Sequence, residues 1–331
     1  MNLIASALAR VGFGDGGARW PPRRLSLALQ GGGSFGAFTW GVLERLLEEP
    51  EIAFDAVSGS SAGAVNAVLL ASGLAEGGRL EAKARLERFW RRMSAAAAFL
   101  PSPALAATPL GAGLGVLAGA LSPFQRNPFN LNPLREALAA EVDFERLRAG
   151  SPVRLLIAAT RALDGKLRIF NESELTVDAV LASACLPLIH HAVEIDGEPY
   201  WDGGYAANPP LLPLVQASSA PHLLIVQVTP NTIERMPTTP RDIAKRLEQI
   251  SFNATLNAEL EALKCGIIIG ATPKLRRLRI GRICAQDEFE GLARESAGNL
   301  GWQFLERLRD SGRGAVEAWL QEAAPRARRG A

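Results

Sequence analysis

The chain has 331 residues, 48% of them apolar and 21% charged, with a formal net charge of +2. That length and composition suit one large α/β domain or two modest ones and exclude a globally disordered chain, while near-neutrality leaves no general nucleic-acid footprint. The three cysteines, Cys185, Cys265 and Cys284, have neither metal-type spacing nor a disulfide framework and fit a reducing compartment.

The first residues, Met1–Ala9, are apolar but few, lack a basic leader and meet Arg10 early, so no signal peptide is read and a cytoplasmic location is expected. Leu25–Leu29 reads as a buried strand. Ala37–Glu49 reads as a helix with Trp40, Leu43, Leu46 and Leu47 on one stripe. Ala53–Ser58 is a second strand, Ala62–Ser72 a nearly all-apolar helix and Arg79–Met93 a charged amphipathic one. No charge occurs between Arg92 and Arg126, and Pro101, Pro103, Pro109 and Pro123 break this run, which argues against a bilayer-spanning helix. Its Ala/Gly-rich core, Ala95–Leu121, reads as a cover for an acyl chain or a patch touching a lipid surface, with a plain Ala/Gly/Pro loop as the simpler alternative.

Further on, Asn132–Glu141 is a helix with Pro133 suited to its first position, and Val153–Thr160 is a strand. Thr176–Cys185 is a helix and Leu223–Val228 a buried strand. Arg241–Lys264 is a long helix, Lys274–Ile280 a strand with alternating basic residues, and Gly298–Leu320 a helix. Alternating strands and helices imply a layered α/β fold around a mainly parallel sheet. The organisation expected is an N-terminal extension over 1–24, a catalytic domain over 25–228 with an apolar insertion at about 94–126, a completion of the same domain over 229–324 and a basic tail over 325–331.

Two glycine-rich turns carry the chemistry. Gly59-Ser60-Ser61-Ala62-Gly63 follows a strand and precedes an apolar helix, the setting of a nucleophile elbow that exposes Ser61. Gly59 and Gly63 flank the serine because the turn leaves no room for Cβ atoms. Gly31-Gly32-Gly33-Ser34-Phe35-Gly36 offers a run of backbone N–H groups at a helix start, suited to an oxyanion. Gly31, Gly33 and Gly36 equally satisfy a dinucleotide-binding G-x-G-x-x-G, with Glu51 or Asp55 as the acid; the serine elbow at the end of the second strand disfavours that reading. A serine needs a base. The histidines are His190, His191 and His222, and only His222 follows the best acid in Ser–Asp–His order, at the start of a strand where a catalytic histidine would not sit. Asp202, in Asp202-Gly203-Gly204, is the better base; a D-G-G sequence is otherwise an ordinary turn.

These three segments, in this order, resemble the signatures of patatin-like phospholipases. Ala182-Ser183-Ala184-Cys185-Leu186-Pro187 resembles the family's A-S-x-x-x-P segment, and Asp202 to Pro210 resembles its D-G-G-x-x-x-N-x-P continuation. The resemblance extends over about Leu25–Val228. It implies a three-layer α/β/α fold and a Ser–Asp dyad without a catalytic histidine. Ser61 would attack, and Asp202 would take its proton. Gly31, Gly32, Gly33, Ser34, Gly36 and Ala62 would form the oxyanion site, and Gly59, Gly63, Gly203 and Gly204 the supporting turns. The substrates implied are acyl esters of phospholipids, lysophospholipids or glycerides, with no cofactor and no metal. Peripheral contact with the inner membrane surface is expected through residues 95–121. Arg161 and Arg168 are available for a substrate phosphate, but spacing does not select them.

Overall fold

The computed structural model describes residues 21–97, 125, 127, 130, 132–268 and 272–322. The expectations for Met1–Ala9, for the apolar stretch beyond Ala97 and for the tail Pro325–Ala331 lie outside the described residues. The strands are β1 (Arg24–Leu29), β2 (Ala53–Gly59), β3 (Arg154–Arg161), β4 (Leu167–Asn171), β5 (Val193–Ile195), β6 (Glu198–Asp202), β7 (His222–Gln227) and β8 (Arg279–Cys284). The helices are α1 (Gly36–Leu46), α2 (Ala62–Ala97), α3 (Pro133–Glu141), α4 (Phe144–Gly150), α5 (Val177–Ser183), α6 (Leu211–Ala217), α7 (Pro240–Ile268), α8 (Pro273–Arg277), α9 (Ala285–Glu288) and α10 (Trp302–Glu322).

Strands β3, β2, β1, β7 and β8 run parallel in that spatial order. Strands β4 and β6 pair antiparallel with β3, and β5 pairs antiparallel with β6. Because side chains alternate along a strand, each central strand feeds two cores. Leu25, Leu27 and Leu29 of β1, with Leu224 and Val226 of β7, meet Trp40 and Leu43 of α1, Leu69 and Phe89 of α2, and Leu305 of α10. Ala28 of β1, with Leu223 and Ile225 of β7, meets Leu214 of α6 and Leu256 and Leu260 of α7 on the other face. The sheet is therefore the middle of three layers, the arrangement that apolar runs in parallel strands require.

The two helices expected at Ala62–Ser72 and Arg79–Met93 are both present within α2, joined across a kink where Gly77 and Gly78 leave the helical conformation. Elsewhere the structure departs from the sequence reading. The strand expected over Lys274–Ile280 starts as helix α8. The Thr272 side chain accepts from Leu275 N–H at 3.2 Å, and Pro273 occupies the first helical position, so the local capping chemistry overrides the alternation. The strand then runs over Arg279–Cys284. Finally, Glu198–Asp202, which leads into the Asp202-Gly203-Gly204 turn, is strand β6. Among the described residues no helix is long and apolar enough to cross a membrane.

Candidate active site

The serine turn is built where β2 runs into α2. Ser61 adopts a φ of 53°, in the left-handed region that strains any residue with a Cβ. A Cβ at Gly63 would lie 2.0 Å from Leu29 O, so α2 reaches the end of β1 only with glycine there. Ser60 turns away: its hydroxyl donates to Ala207 O at 2.6 Å. The Ser61 N–H is shared between the carbonyl and the hydroxyl oxygen of Ser183, each at 3.0 Å, which ties the elbow to the C-terminus of α5. Gly59, the last residue of β2, pairs with Leu29 on one side and Ile157 on the other.

Strand β3 brings Asp202 to this serine. Ile157 has Gly59 on one side and Phe170 on the other; Ala159 has Asp202 on one side and Arg168 on the other. Since Phe170 and Arg168 both belong to β4, β2 and β6 share the opposite edge of β3 and meet end to end. Asp202 thus arrives two residues beyond Gly59, about 7 Å along the strand. Its backbone is pinned by Asp202 N–H donating to Cys185 O at 2.8 Å and by the Thr160 hydroxyl donating to Asp202 O at 2.8 Å.

The Asp202 side chain is fully buried. Oδ1 accepts from Gly204 N–H at 2.8 Å, within the turn Gly203–Tyr205, while Oδ2 has no hydrogen-bond partner among the described residues. Burial raises the carboxyl's pKa to about 7. The Gly204 N–H and the neighbouring Ser61 hydroxyl pull it down only in part, and the charge of Glu248 on α7 adds to the rise. An ionised Asp202 is consequently a far stronger base than a carboxylate in water.

The first glycine turn lies against the elbow. A Cβ at Gly31 would sit 2.6 Å from both Ser61 Cβ and Ser60 O. Three of its expected oxyanion donors are already engaged within the protein. Gly31 N–H donates to Asn208 Oδ1 at 2.7 Å, Ser34 N–H donates to Ala297 O at 2.7 Å, and Gly36 N–H donates to Gly33 O and Ser34 O. An N–H already engaged inside the protein is less available to a substrate oxygen than a free one. The N–H groups of Gly32, Gly33 and Ala62 have no acceptor among the described residues.

The rival residues lie elsewhere. His222 opens β7 opposite Leu25 and Arg279, at the end of the sheet away from Gly31 and Gly59; burial, then the Arg279 charge, lower its pKa. Asp55 binds Ser218, Ser219, Ala220 and Arg24 near the start of β2, so it is not placed to read a ribose beside the glycine turn. Arg161 pairs with Asp164 and Glu198, and Arg168 with Glu174. Among the described residues no group of side chains could hold a metal ion. Ser183 and Asn208 lie in segments read from the sequence, yet their contacts with the elbow and the glycine turn had no local signal.

A family model described as patatin-like phospholipase matches residues 27–215, more than half of the chain. No curated protein matches it. Among solved structures, VipD from Legionella pneumophila is similar at 17% identity and a TM-score of 0.40, over 89% of this chain and 68% of that one. A chain of the heterodimeric ExoU–SpcU complex, from the type III secretion system of Pseudomonas aeruginosa, is similar at 17% identity and a TM-score of 0.36, over 92% and 53%. The type III effector protein ExoU is similar at 19% identity and a TM-score of 0.31, over 73% and 53%. The chain spans about half the length of the chains it matches in the last two.

Proposed function

The chain belongs to the patatin-like phospholipase family, and from that premise we propose that it is a serine lipid acyl hydrolase working through a Ser61–Asp202 dyad. The observation that carries this reading is the fully buried Asp202, with one free carboxylate oxygen and a pKa near 7, beside a serine held at a left-handed elbow. Asp202 accepts the Ser61 proton as the hydroxyl oxygen attacks an ester carbonyl. The resulting oxyanion is met by the open N–H groups of Gly32, Gly33 and Ala62. Collapse expels the alcohol, which takes the proton back from Asp202, and leaves an acyl-enzyme. Asp202 then deprotonates a water that attacks the acyl carbonyl, and the fatty acid departs as Ser61 regains its proton.

The substrates proposed are fatty-acyl esters of phospholipids, lysophospholipids or glycerides, presented at a lipid surface that the uncharged stretch between Arg92 and Arg126 contacts. A fluorophosphonate probe is expected to label Ser61, located by mass spectrometry, and Ser61→Ala is expected to abolish both labelling and fatty-acid release from phospholipid vesicles. Nucleotide binding without labelling of Ser61 would favour the dinucleotide reading instead. Shortening the uncharged stretch is expected to reduce vesicle hydrolysis more than hydrolysis of soluble p-nitrophenyl butyrate; equal losses would remove it from the lipid contact.

A further inference from the structure

The glycine turn that carries two of the open N–H groups has no side chain of its own over Gly31–Gly33, so no local side chain restrains the Gly31–Gly32 peptide plane. It is held from outside. Asn208, fully buried, reaches back from the segment after the catalytic turn: its Oδ1 accepts from Gly31 N–H at 2.7 Å and its Nδ2 donates to Gly31 O at 3.4 Å. Thr229, just past β7, donates its hydroxyl to the same Gly31 O at 3.0 Å. The neighbouring Gln30 side chain joins this hold, accepting from Val228 N–H at 2.9 Å and Thr229 N–H at 2.8 Å.

Holding the Gly31 carbonyl has a consequence one residue on. The Gly31–Gly32 peptide is trans, and in a planar trans peptide the C=O and the following N–H point in opposite directions. Whatever fixes the direction of Gly31 O therefore fixes the direction of Gly32 N–H. The next plane is held locally, because Gly32 O accepts from Phe35 N–H at 3.2 Å and so aims Gly33 N–H. We propose that Asn208 and Thr229 are positioning residues that aim the Gly32 N–H at the developing oxyanion by clamping the opposite edge of its peptide plane. The inference rests on the acyl-hydrolase reading and extends it. Asn208 also links three catalytic segments into one body: it follows Ala207, whose carbonyl takes the Ser60 hydroxyl, and it lies on the same stretch as Asp202.

Thr229→Val removes the hydroxyl and keeps the shape. It is expected to lower kcat on p-nitrophenyl butyrate about 10-fold, part of the about 10²–10³ that losing one oxyanion donor costs, while KM stays within about 2-fold. The midpoint of the pH–rate profile stays put, because the surroundings of Asp202 are untouched. Thr229→Ser, which retains the donor, restores kcat. Asn208→Ala, which removes both of its bonds to Gly31, is expected to lose more than Thr229→Val; if it does not fold, the Thr229 pair decides alone. A folded Thr229→Val with wild-type kcat, a change in KM alone, a moved pH midpoint, or equal impairment of the Ser and Val variants overturns the inference. A wild-type protein neither active nor labelled at Ser61 overturns the acyl-hydrolase reading with it; a labelled, active wild type beside an unimpaired Thr229→Val overturns the positioning role only.

Discussion

Two aspartates with poorly exposed side chains sit at opposite ends of the same mainly parallel sheet, and they titrate in opposite directions. Asp55, near the start of β2, is lowered to about 2. Burial alone would raise it, but the Ser219 N–H, the Ser218 and Ser219 hydroxyls and the Arg24 guanidinium outweigh that effect. Asp202, at the other end, has one N–H, a neighbouring serine and no cation, and it rises to about 7. Burial does not by itself make a carboxylate reactive; burial with too few donors does. The end with donors holds the loop at 218–220 in place; under the proposed function, the end with few donors is the one that moves a proton.

Exchanging each aspartate for asparagine separates the two ends most sharply. Asp202→Asn is expected to lower kcat by about 10²–10⁴, the range a general base contributes, measured on the soluble ester. Asp55→Asn should leave kcat near wild type and cost stability. Comparable kcat losses in the two variants would erase the contrast.

The same pair predicts opposite pH dependences of stability. Asp202 has a raised pKa, so its contribution is fully present below about 4 and is lost as pH rises through about 7. Three pKa units correspond to roughly 4 kcal/mol as an order of magnitude, so Asp202→Asn should melt higher than wild type at pH about 8 and gain little at pH about 4. Asp55 has a lowered pKa, so its contribution is present above about 4 and is lost as pH falls through about 2. Asp55→Asn should cost about 2 kcal/mol near neutrality and progressively less in acid. Thermal melts across pH test both signs.

Activity should follow ionisation of the base: kcat/KM rises with pH through a midpoint near 7, as the free carboxylate replaces the acid. A flat profile between about pH 5 and 9 would detach the rate from Asp202. The smallest effect belongs to Glu248, whose charge is the last and weakest of the causes raising Asp202. Glu248→Gln should move the midpoint down, by less than burial moved it up. An upward shift would contradict the sign.

Much of this site was readable because its parts are local. The elbow needs a serine between glycines at a strand-to-helix junction, and all of those residues lie within Gly59–Gly63. Helix α1 declares itself through the Trp40, Leu43 and Leu46 stripe. Other parts had no local signal. Strand β6 is five residues with a proline, and it becomes a strand by adding to the edge of β3 beyond the end of β2. Helix α8 was hidden because alternating leucine and arginine look like a strand until Thr272 and Pro273 cap them. Which N–H groups stay open was equally hidden, since Gly31 is engaged by a residue 177 positions away.

The sequence by itself determined the turns: where the glycines fall, where Ser61 stands between two of them, and that Asp202-Gly203-Gly204 follows downstream, because those features are local. Only the tertiary structure decided that the Asp202 carboxyl is raised to about 7 while that of Asp55 is lowered to about 2, and that Gly32, Gly33 and Ala62 rather than the whole glycine run keep N–H groups with no acceptor among the described residues. Desolvation and hydrogen-bond pairing depend on what surrounds a group, and here those surroundings come from segments far apart along the chain.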